Sequence, residues 1–80
     1  MRRANSIYHN PAPDYVSSLF WILKSFGRTK KDVCQRLGVN YRTMGDYTNP
    51  THPAKIPYCV QFALESEVEW EQERQEAKAA

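Results

Sequence analysis

One short segment, DVCQRLGVNYRTMGDYTNP (residues 32–50), limits the folds open to this chain more than any other. Val33 and Leu37 recur at helical spacing, and Gly38 follows at once. Glycine reaches the left-handed backbone that ends a helix without steric cost, so the helix stops there and the chain turns. Thr29 is a good N-cap for this helix, and Asp32 in its third position suits the positive helix end. A helix is therefore predicted over residues 30–37. Cys34 is small, which suits a tight crossing with the next element. Val39 is apolar, Asn40 can cap again, and a second helix is predicted over residues 41–47. Met44 and Tyr47, three apart, point to a core. Tyr41, Arg42, Gly45 and Asp46 are left on the outer face.

The flanking sequence is also helical. Val16, Leu19, Phe20 and Leu23 share a helical stripe between Asp14 and Phe26, with Gly27 as the stop. Either Pro13 or Asp14 can open that helix. Trp21 and Ile22 widen its apolar band, so part of it faces the arm, the last helix or a partner. Residues 48–55, TNPTHPAK, read as a loop. Pro57 suits the first turn of a last helix, in which Val60, Ala63, Leu64 and Val68 continue the core stripe. Beyond Trp70, EQERQEAKAA has helix-forming residues but no apolar face. That stretch extends the helix, frays or stays disordered. The expected architecture is all-α: a compact four- to five-helix domain with a central helix-turn-helix, an extended N-terminal arm and a long C-terminal helix. The arm covers residues 1–13, the domain 14–66 and an acidic helical or disordered tail 67–80.

Composition narrows the function. Eighty residues make one small domain. With 41% apolar residues, five Tyr, three Phe and two Trp, disorder throughout is not expected. His9, His52, Cys34 and Cys59 match no metal-ligand spacing, so no metal and no cofactor are expected. No nucleophile is spaced next to a base, and no glycine-rich phosphate cradle is present, so no enzyme is expected. The start Met1-Arg2-Arg3 runs into polar residues, and the apolar run 19–23 is too short to span a bilayer. A reducing cytoplasmic setting without membrane contact is the natural expectation, and the two cysteines do not read as a disulfide scaffold. Charge is split along the chain. Residues 1–64 hold nine Lys and Arg against three acids, giving +6, and residues 65–80 hold six Glu against two bases, giving −4. The front attracts a polyanion and the tail repels one.

The segment TKKDVCQRLGVNYRTMGDYTNP resembles the phage-repressor (Cro and lambda-repressor-like) helix-turn-helix family. Thr29, Val33, Cys34, Leu37, Gly38, Val39, Met44 and Tyr47 fill that family's places without insertion. The later KIPYCVQFALE resembles the closing helix of phage regulators. The resemblance implies that the second motif helix enters the major groove of double-stranded DNA. By position, Tyr41, Arg42, Gly45 and Asp46 face the bases, with Asn40 beside them. Arg42 suits a paired contact with guanine, and Tyr41 a thymine methyl or a phosphate. Thr29, Lys30 and Lys31 stand at a helix N-terminus that meets phosphates. Asn49, Thr51 and Lys55 hold the backbone on the other flank, and Arg2 and Arg3 reach along a groove. The implied protein is a small sequence-specific transcriptional regulator of phage or mobile-element type, a homodimer on operator DNA. Gly45 and Asp46, the acidic tail and the outer aromatics favour an alternative. In that reading the helix-turn-helix is a scaffold that binds and inhibits a host protein partner.

Overall fold

In a computed structural model of the chain, residues 3–79 are described, apart from the side chains of residues 78 and 79. A 3-10 turn, Ser6–Tyr8, precedes four α-helices: α1 (Pro13–Ser25), α2 (Lys30–Leu37), α3 (Tyr41–Thr48) and α4 (Tyr58–Ala79). The fold is all-α, and no strand occurs among the described residues.

Local chemistry places the helix ends. Pro13 occupies the start of α1, where its missing N–H is not needed, and Ala12 before it offers no side-chain cap. Gly27 ends the helix in left-handed backbone at φ 83°. The amide of Arg28 then reaches back to Leu23 O at 3.0 Å. The hydroxyl of Thr29 accepts the amide of Asp32 at 3.1 Å and starts α2. Gly38, at φ 72° and ψ 26°, closes α2, and the Val39 amide bonds Cys34 O at 2.9 Å. Asn40 then caps α3 through the amides of Arg42 (2.9 Å) and Thr43 (3.4 Å). Pro57 stands just ahead of α4 rather than within it. Its carbonyl accepts the amides of Val60 and Gln61 at 3.1 and 3.0 Å.

The core draws on every helix. Val16, Leu19 and Leu23 of α1, Val33 and Cys34 of α2, Met44 of α3, and Leu64 and Val68 of α4 are buried. Phe20, Leu37, Tyr47 and Val60 pack against them half-buried. Ile56 is fully buried too, although it sits in the proline-flanked connection and belongs to no helical stripe. Both α1 and α2 pack on α3 and α4. Trp21 and Trp70 are not core residues: they are 72% and 49% exposed.

The last helix departs furthest from its sequence pattern. Its inward face runs Gln61, Leu64, Glu65, Val68, Glu71, and Glu67 beside it is buried as well. The stretch after Trp70 therefore does have an inward-facing residue, and it is an acid. Arg28, from the α1–α2 turn, meets Glu71 at 3.1 Å, Glu67 at 3.7 Å and Asp32 at 2.9 Å. Arg36 adds a second bond to Glu67 at 2.7 Å. These partners let the carboxylates leave water, since burying an unpaired charge costs several kcal/mol. In return, Arg28 is held more firmly protonated than usual, first by its hydrogen bond to Asp32 and then by Glu71 and Glu67, against the opposing effect of burial.

The N-terminal arm is tied along the start of α4. The Asn10 amide donates to Gln61 Oε1 at 2.8 Å, and Gln61 Nε2 donates to Tyr8 O at 2.9 Å. His9 Nε2 lies 2.7 Å from Ile56 O, and the Asn5 amide donates to the Tyr58 hydroxyl at 3.0 Å. Tyr15 of α1 donates to Glu65. No buried side-chain nitrogen or oxygen among the described residues lacks a partner.

Arg28→Ala strands Glu71 without its main cation and is expected to destabilise the chain by about 3 kcal/mol in urea titrations, whereas exposed Glu73→Ala changes it by no more than about 0.5 kcal/mol. Burial raises the Cys34 thiol pKa, while Cys59 is exposed. A thiol reagent under native conditions is therefore expected to modify Cys59 quickly and Cys34 only on the unfolding timescale, read by mass spectrometry.

Candidate nucleic-acid interface

The first turn of α3 presents the candidate reading residues. Tyr41, Arg42 and Thr43 are exposed there, behind the Asn40 cap. The caps on either side restrict what the neighbouring polar groups can do. The Thr29 oxygen and the Asn40 carbonyl oxygen already serve backbone amides of their own helices. Asn49 closes α3, and its Oδ1 accepts from the amide and hydroxyl of Thr51 at 3.0 and 2.8 Å. These three residues shape the backbone first. Asp46 is half-buried, with one oxygen 3.8 Å from His52 Nε2 in the following loop. Lys31 and Lys55 are exposed. Arg3 is exposed in the arm, and Arg2 lies outside the described residues.

Lys30 has the most organised surroundings of the set. Its ammonium donates to Thr48 Oγ1 at 3.1 Å, and that hydroxyl donates to Gly45 O at 2.9 Å. The same nitrogen lies 5.4 Å from the Phe20 ring centre and 5.8 Å from that of Tyr41. The fold thus brings Lys30 and Tyr41 together and adds Thr48 and Phe20, which were not among the expected site residues. Thr48 lies one residue past the predicted end of the helix, and Phe20 carries only a core signal in the sequence. An ammonium has three donors, and one is used here.

Charge is sorted by pairing. The acids Asp32, Glu67 and Glu71 are engaged by Arg28 and Arg36. Among the described residues none of Lys24, Lys30, Lys31, Arg42 and Lys55 forms an ion pair. The acidic tail therefore neutralises two specific arginines, and the cations of the candidate site keep their charge available. No group of three or more metal-ligating side chains occurs among the described residues. No described helix is long and apolar enough to cross a membrane.

Gly45 lies on the face between Tyr41 and Thr48. Its φ is not positive, and a Cβ added there would meet nothing within 4 Å. Neither backbone nor packing within the chain requires glycine. Gly45→Ala is expected to stabilise the protein by about 1 kcal/mol, raising Tm by roughly 4–8 °C in a thermal melt.

In the comparisons with known proteins, no family model matches this chain and no curated protein does.

Proposed function

We propose that the chain is a small DNA-binding regulator of phage or mobile-element type that places the first turn of α3 in the major groove. The observation that carries this reading is the turn itself. Tyr41 and Arg42 are exposed on a capped helix that the Gly38 corner holds against α2, and the nearby cations have no carboxylate partners among the described residues. Arg42 would read guanine through its paired donors. Lys31, Lys55 and the free donors of Lys30 would meet phosphates, and the Lys30 contact to Tyr41 would hold that ring in place. Two copies would be needed, because one short helix gives modest affinity and a two-fold pair matches a palindromic site. The action would be occupation of an operator, without chemistry.

The test is a fluorescence anisotropy titration with DNA flanking the protein's own coding sequence, at two salt concentrations. Affinity is expected to fall steeply as salt rises. Arg42→Ala is expected to cost about 1–3 kcal/mol and relax specificity at one base. Lys31→Ala is expected to reduce the salt slope by about one. Absence of binding at low salt, or indifference to Arg42→Ala, would sink the reading.

A second reading has its own support. Trp21 is 72% exposed beside Ile22, more than a small domain needs to cover its core. In that reading the same scaffold binds a host protein and inhibits it.

A further inference from the structure

The outer side of α1, the N-terminus of α2 and Thr48 of α3 line an open groove of about 580 Å³, which shares Lys30 with the DNA reading but otherwise lies on α1. Phe20 and Trp21 give it an apolar wall, and Gly27 and Thr29 line it as well. Three cations, Lys24, Arg28 and Lys30, line it, and no acid does. Arg28 is compensated by Asp32, Glu67 and Glu71. Lys24 and Lys30 are not: each lies over an aromatic ring, Lys24 at 5.5 Å from Trp21 and Lys30 at 5.4 Å from Phe20. The groove is thus an apolar slot with two uncompensated ammonium groups at its rim.

We infer that this groove docks an acidic segment of a partner protein that inserts one aromatic or branched apolar side chain. The inference deepens the protein-partner reading and rests on it. Charge complementarity selects an acidic occupant, since the uncompensated lining charges are all positive. The apolar wall selects a peptide over a duplex. A phosphodiester backbone has no protruding apolar group to fill a concave slot, whereas a Phe, Trp or Leu side chain flanked by Asp and Glu fills it and meets both lysines. Trp21 is the anchor: a large, rigid, exposed ring that a partner side chain can cover without rearranging the core.

The experiment uses the full chain carrying Trp70→Phe, which leaves Trp21 as its one tryptophan. Binders are selected from a library of random twelve-residue peptides. Each recovered peptide is then synthesised with a fluorescent label, and its binding is measured by anisotropy alongside Trp21 emission. The expected result is a shared pattern of Asp or Glu around one aromatic or branched apolar residue, with a saturable shift of Trp21 emission. Lys24→Glu is expected to weaken binding at least tenfold and Trp21→Ala to remove it, with circular dichroism showing both variants folded. Acidic peptides that bind the Trp21→Ala variant equally well would overturn the groove while leaving a protein partner in place. Recovery of no peptide, or only of basic or uncharged ones, would overturn both. An emission shift with duplex DNA alone, or a self-association in sedimentation that Trp21→Ala abolishes, would assign the groove to DNA or to a second copy and overturn the inference.

Discussion

The cluster of Arg28 with Glu67 and Glu71 is the interaction on which the rest of the structure depends. A helix packs when one of its faces can leave water. Among the described residues, the inward face of α4 has only Leu64 and Val68 as large buried apolar residues, set among Gln61, Glu65, Glu67 and Glu71. Those polar groups can be buried only where each finds a partner. Arg28 supplies two of the partners from the turn between α1 and α2, Arg36 reinforces one, and Tyr15 and the arm serve Glu65 and Gln61. The long helix is therefore positioned by directional bonds as much as by hydrophobic area. Directional bonds specify a single register, whereas apolar contact alone tolerates sliding.

The same pairing organises the electrostatics of the candidate site. The +6 front and the −4 tail are separate in the chain but partly merged in space. The glutamates nearest α2 are taken up by Arg28 and Arg36. Lys30, Lys31, Arg42 and Lys55 form no ion pair among the described residues. A surface built this way attracts an anionic partner through a few defined cations rather than through net charge, which is only +2. Lys30 joins the two halves of the picture. Its ammonium lies 5.8 Å from the Tyr41 ring centre on the α3 side and 5.4 Å from that of Phe20 on the groove side, so an occupant on either side would meet the same ammonium.

The α2–α3 corner was legible because its signals are local. Thr29, Gly38 and Asn40 act on amides within a few residues of themselves, and a cap or a left-handed glycine works the same way in any fold. The span of α2 agrees with its expected bounds of about 30–37, and α3 runs on to Thr48. The core stripes of α1, α2 and α3 were legible for the same reason, because helical periodicity sorts residues without knowledge of the partner. Ile56 was not legible, since a single apolar residue between Lys55 and Pro57 has no period to join. Nor was the inward turn of Glu71, because an isolated glutamate in a glutamate-rich stretch reads as solvated. Its burial depends on an arginine 43 positions away.

What the sequence by itself determined is the kind and order of the elements: four to five helices, a glycine corner inside a helix-turn-helix, and an outer face carrying Tyr41 and Arg42. Caps, glycines and periodicity act over one or two turns, so the chain writes them locally. What only the tertiary structure decided is which charges remain free and which surfaces remain open. Arg28 and Arg36 were spent on α4, Lys30 was drawn between two rings and Thr48, and Trp21 was left outside the core. Each outcome depends on side chains brought together from distant positions, where the balance between desolvation and pairing is set by geometry that no local pattern encodes.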